Sequence, residues 1–132
     1  MGFIDLQQIP VVEPVPGCRL RTPYGQHLML SYLEMEPHAE IPWHQHPHEQ
    51  GGILLRGQLE LSIGQETRVV QAGDLFIIPP HTPHRAKALD QPVTVLDVFS
   101  PIREDYAELM NRYIPQPEST GLTFTTAPDD DK

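Results

Sequence analysis

Apolar and polar residues alternate over most of this chain, and glycine and proline interrupt the alternation about every ten residues. Leu59, Leu61 and Ile63 alternate with Glu60 and Ser62, the period of a half-buried strand. Further strands are expected over 26–35, Ile41 to His46, Gln50 to Leu55, Thr67 to Gln71, Leu75 to Ile78, His84 to Ala88 and Val93 to Phe99. Arg56-Gly57 and Gly64-Gln65 are expected turns, and Gly73-Asp74 and Pro79-Pro80 bound the short apolar strand. Helical spacing occurs once: Tyr106, Leu109, Met110 and Tyr113 recur at three and four, predicting a short helix over 102–113. The expected fold is all-β, a sandwich or barrel over 24–114. An irregular arm with one or two short strands precedes it (1–23). A loosely ordered acidic tail rich in Pro and Thr follows (115–132). There is no internal repeat and no linker.

Composition narrows this picture. The chain has 132 residues, 39% of them apolar, enough for one domain with a core. A net charge of −9, with only nine Lys and Arg and no basic cluster, argues against nucleic acid and anionic membranes as partners. An anionic small molecule would need a local arginine or a metal. No apolar run approaches membrane-spanning length. The start, Met1 to Leu6, lacks the basic and apolar regions of a signal peptide, so the cytoplasm is the expected compartment. Cys18 is the only cysteine, which excludes an internal disulfide and a cysteine zinc site. It reads as a small, partly buried apolar residue.

Histidine carries the chemistry. His44-Gln45-His46-Pro47-His48-Glu49-Gln50 holds three imidazoles, and His84 follows Pro79-Pro80 and Pro83. Residues two apart on a strand share a face, so His44 and His46 point together if the strand continues through them. Both could then hold one divalent ion with His84. Gln50 and Glu49 compete for a fourth position. A carboxylate is ordinarily the better donor to a hard ion, but Gln50 has the parity of His44 and His46 in an unbroken strand. His38, His48 and His81 read as exposed residues or as supports behind the ligands. Nitrogen-rich sites accept zinc, nickel, iron, cobalt or manganese, so the ion's identity stays open.

The spacing of these residues resembles the cupin superfamily. Its first motif runs Gly, five residues, His-x-His, three or four, Glu, six, Gly; here His44-x-His46, three residues, Gln50, six residues and Gly57 fit. Its second runs Gly, five, Pro, four, His, three, Asn; here Gly73, Pro79 and His84 fit. His38 stands for the first Gly, Ala88 for the Asn, and Gln50 for the metal-binding Glu. The resemblance implies a single cupin barrel, a double-stranded β-helix or jelly roll, with one short C-terminal helix. It also implies one divalent ion on His44, His46, Gln50 and His84, and a homodimer formed by strand exchange at the arm. Gln50 removes one negative charge from the ligand set. That favours non-redox Lewis-acid chemistry over an iron dioxygenase.

A second group lies in the last strand. Asp97 and Phe99 share a face, and Arg103 follows at the expected barrel mouth. An acid in an otherwise apolar strand is either paired structurally or works in the lumen, and an Asp97–Arg103 ion pair is the plain structural reading. Glu104 and Asp105 fit charge compensation at a helix N-terminus. The run from Asp97 to Tyr106, with His-Pro-His-Glu-Gln, is similar to the pectin-degradation cupins that linearise 4,5-unsaturated monouronates from pectin and alginate. That resemblance implies functional roles for Asp97, Phe99 and Arg103 and an anionic sugar as substrate. Another metal-dependent cupin enzyme, a dioxygenase or sugar isomerase, is the first alternative. A small-molecule-binding cupin without turnover is the second.

Overall fold

The computed structural model describes residues 2–112, which form ten strands and one α-helix. The expected tail, 115–132, lies outside the described residues. The strands are β1 (Val12–Val15), β2 (Cys18–Arg21), β3 (Met29–Met35), β4 (Glu40–His44), β5 (Glu49–Arg56), β6 (Gln58–Ile63), β7 (Glu66–Gln71), β8 (Leu75–Ile78), β9 (His84–Ala88) and β10 (Val93–Ser100); helix α1 is Glu104–Asn111. They build two antiparallel sheets, one ordered β1-β2-β3-β10-β5-β8 and one ordered β4-β9-β6-β7. This is the all-β sandwich expected of a jelly roll, with a single short α-helix among the described residues. None of the described helices is long and apolar enough to cross a membrane.

The alternation seen in the sequence becomes an inner and an outer face. Met29, Ser31, Leu33 and Met35 of β3 and Val93, Val95, Asp97 and Phe99 of β10 are buried, while the residues between them, buried Thr94 excepted, are partly exposed. Leu54, Leu59, Leu61, Ala86 and Ala88 complete the main core from the other strands. Burying such aliphatic side chains contributes about 1.5–3 kcal/mol each. A smaller cluster of Met29, Phe99 and Ala107 lies under α1. One face of β10 therefore runs from aliphatic core at Val93 to chemistry at Asp97 and Phe99.

Three local features shape the site end. Residues of the arm are sewn into the larger sheet: β1 and β2 form a hairpin through Gly17, at φ +79°, and Cys18 of β2 lies opposite Met35. Strand β4 is an edge strand containing Pro42, which has no N–H to donate inward. It ends at His44, two residues earlier than the alternation implies, so His46 lies in the β4–β5 connection rather than on the strand. Gly52 faces inward from β5 opposite Asp97 of β10; a Cβ there would lie 2.6 Å from Asp97 Oδ1 and collide with the Phe76 ring.

Candidate metal centre and its acid

His44 and His84 are register partners on β4 and β9, with ring centroids 4.1 Å apart. His46 reaches the same place from the β4–β5 connection, 4.9 Å from His84 between centroids. The ring–ring approach thus forms although His46 is off the strand. The connection is held by the backbone of the β8–β9 loop: the His81 N–H donates to His46 O at 2.7 Å. One donor nitrogen from each of the three rings lies within 4.8 Å of the others. Three histidines are thus positioned to bind a metal ion.

Each ring is oriented by the same device. Nδ1 of His44 donates to Pro42 O at 2.8 Å, Nδ1 of His84 to Thr82 O at 2.8 Å, and Nδ1 of His46 to His48 O at 3.1 Å. A carbonyl only accepts, so Nδ1 carries the proton and Nε2 keeps its lone pair. Burial lowers the pKa of all three, that of His84 to about 4, so the rings are neutral and available as ligands near pH 7.

Two observations test whether a cation fits. The Nε2 of His84 is buried and has no hydrogen-bond partner. The Nε2 of His46 lies 3.1 Å from Gln50 Oε1, and with Nδ1 protonated both atoms are acceptors. Facing lone pairs repel unless a positive charge lies beside them, so these residues fit a divalent ion. Gln50, the second residue of β5, donates its amide N–H to Asp97 Oδ1 at 3.2 Å, and this turns its oxygen toward His46. Glu49, the competing carboxylate, is exposed. His38 and His81 are exposed as well, but His48 is buried, packs edge-on to His46 at 5.4 Å and lies 3.4 Å from Glu104.

Asp97 is buried on β10 between Gly52 and Ser31. Burial raises its pKa to about 7, although the Gln50 hydrogen bond and the charge of Arg103 pull it down. Arg103 is buried too, but it does not pair with Asp97 as the plain reading of the sequence has it. Asp105 takes its Nε–H at 3.2 Å and an Nη2–H at 2.7 Å. Its guanidinium lies 3.8 Å over the Tyr106 ring and 5.1 Å from that of Phe99. The Asp105–Arg103 contact was hidden in the sequence because an acid in the first turn has a sufficient explanation in the helix dipole.

His44, His84, Gln50, Asp97, Phe99 and Arg103 border one cavity of about 50 Å³, enough for a few waters. Its inner wall is apolar, formed by residues such as Leu33, Leu59, Leu61 and Val95. The arrangement combines a cation seat, an acid that titrates near neutrality and a guanidinium on the lining of one cavity.

Comparison with known proteins agrees with this geometry. Residues 31–99 match the family described as the cupin domain, just over half of the chain. KdgF from Halomonas sp. superposes with a TM-score of 0.74 at 31% identity, covering 80% of this chain and 99% of that one. An RmlC-like cupin from Shewanella frigidimarina NCIMB 400 gives 0.75 at 27% identity, covering 80% and 96%. A curated relative, H2HPP isomerase of Bacillus subtilis, is 36% identical over 73 residues; the match spans 54% of this chain and 30% of that protein. By its two motifs, its sandwich and its matched domain, the chain belongs to the cupin family.

Proposed function

We propose that the protein converts 4,5-unsaturated monouronates to linear keto sugar acids, with one divalent ion held by His44, His46, His84 and Gln50. The observation that carries this reading is Gln50, set between His46 Nε2 (3.1 Å) and Asp97 Oδ1 (3.2 Å). It couples a ligand set without carboxylate to an acid of pKa about 7. The likeness to KdgF is the comparison that bears on it. The ion would supply Lewis acidity toward substrate oxygens.

The chain's own residues would do the rest. Asp97 is about half protonated at neutral pH and can give its proton to the ring carbon next to the enol-ether carbon. Water adds at the enol-ether carbon and returns a proton to the carboxylate. The resulting hemiketal opens to a ketone and an aldehyde hydrate, and the hydrate releases one water to leave the free aldehyde. Arg103 would hold the substrate carboxylate, which answers how a protein of charge −9 accepts an anion. Phe99 would cover the reacting carbons and keep bulk water out. A six-carbon acid exceeds the cavity, so it would dip one end inside and keep the rest at the mouth. Assembly as a homodimer through the arm is part of this reading, supported by Phe3 and Ile4, exposed by 99% and 45%. Sedimentation of the protein as a monomer would remove it.

Loss of the unsaturated uronate absorbance, followed with and without chelator, tests the reaction. Turnover should stop once the metal is removed and return when a divalent ion is restored. Unchanged decay after complete removal would exclude it. A second reading, isomerisation of a small acid less polar than a uronate, is favoured by the apolar inner wall and the match to a protein named H2HPP isomerase. Turnover of such an acid, with none of the uronate, would select it.

A further inference from the structure

We propose, resting on the uronate reading of this site, that Asp105 is a positioning residue that fixes Arg103 so that only its end-on edge meets a substrate carboxylate. A guanidinium has five N–H donors. Asp105 occupies Nε and one hydrogen of Nη2. Tyr106 covers a face of the group at 3.8 Å. The two Nη1 hydrogens and the second of Nη2 remain, and they form the fork that grips a carboxylate with two parallel bonds.

Asp105 belongs to the first turn of α1, two residues from Arg103, and its carboxyl is held below the usual carboxylate range: the bonds to Arg103 and the backbone N–H groups of Tyr106 and Asp105 outweigh its partial burial. It therefore stays charged and in place. Tyr106 in turn packs edge-on against Phe99 at 5.9 Å. The guanidinium is locked on a side edge and one face before any ligand arrives. Pairing with Asp105 also cancels much of its long-range charge. Selection here thus follows hydrogen-bond geometry more than net charge, suiting a planar carboxylate better than a spherical anion.

The test is binding of D-galacturonate and of uncharged D-galactose to the metal-loaded full chain, by calorimetry, together with steady-state kinetics on the unsaturated uronate. Asp105→Asn keeps an oxygen for Nε but sets an NH₂ against Nη2, and should weaken galacturonate binding about tenfold while galactose is unaffected. KM should rise by a similar factor with a smaller change in kcat. Asp105→Glu should recover most of the loss, and Tyr106→Leu, which removes the covering ring, should weaken galacturonate in the same direction. Galacturonate binding equal to or tighter than native in Asp105→Asn would overturn the role, since Asp105 would then be a bystander or a competitor. A native protein that binds galacturonate no better than galactose would overturn it too. Native-like galacturonate binding in Arg103→Gln would instead remove the uronate reading's carboxylate holder, and the positioning role with it.

Discussion

Gln50 hands an amide hydrogen to Asp97 across the β5–β10 pair, at 3.2 Å, and so presents its oxygen to His46. Replacing it by glutamate puts two carboxyl groups side by side, and one must keep its proton to a higher pH. In Gln50→Glu the group corresponding to Asp97 should titrate above its native value of about 7. Metal should bind more tightly, and kcat at pH 7 should fall at least tenfold. The pH–rate profile and a metal titration read both effects.

Asp97→Asn should lose activity by roughly 10²–10⁴-fold with the fold and metal binding intact. Stability gives a second readout. The folded pKa, about 7, lies above the ordinary 3.8, so neutral Asp97 contributes stability that is complete below pH 3.8 and lost as pH rises through 7. The metal-free Asn variant cannot ionise and should be more stable than native protein at pH 8, with a smaller difference at pH 5. Urea midpoints at the two values measure this; an equal gap at both would contradict a buried, raised carboxyl.

The histidines have the opposite sign. Their folded pKa values are depressed, so the metal-free protein holds their contribution above pH 6.5 and loses it as pH falls through about 4 for His84. Because the rings are already neutral when folded, protons compete weakly with the ion. Metal affinity should hold above pH 6.5 and fall as pH drops toward 4, where His84 takes up a proton. Competition with a chromophoric chelator would show it, and a decline beginning above pH 6.5 would mean the rings are not pre-neutralised.

Gly52→Ala probes the space around the acid. The added methyl meets the Asp97 carboxyl and the Phe76 ring, so it should cost about 1–3 kcal/mol in stability and most of the activity. Metal affinity should change less than activity, since the three histidines are carried by β4, β9 and the β4–β5 connection and only Gln50 shares β5 with Gly52. A variant with native kcat would show that Asp97 needs no fixed position.

The sequence was most legible where one period governs a whole segment. Leu59 and Leu61 announced β6, and the parity of Asp97 and Phe99 followed from the alternation of β10. Strand parity was a poor guide to His46, because Pro42 and the chain reversal end β4 at His44 and a backbone bond from His81 holds the connection instead. The burial of His48 was not readable either: it depends on Glu104, 56 residues away, and on the ring of His46. Arg103 was singled out from its place after β10, and the plain structural reading gave it Asp97 as partner. Asp97 is nearer in chemical expectation, whereas the first turn of α1 brings Asp105 onto the guanidinium.

The three Nδ1–carbonyl bonds each span two residues of chain. No side-chain substitution elsewhere can delete a main-chain carbonyl, so the inward lone pairs of His44, His46 and His84 are inherited from three short peptides rather than from the lining of the cavity. Natural variation or engineering can thus redraw the walls for another substrate, residue by residue, while the cation seat keeps its protonation pattern throughout.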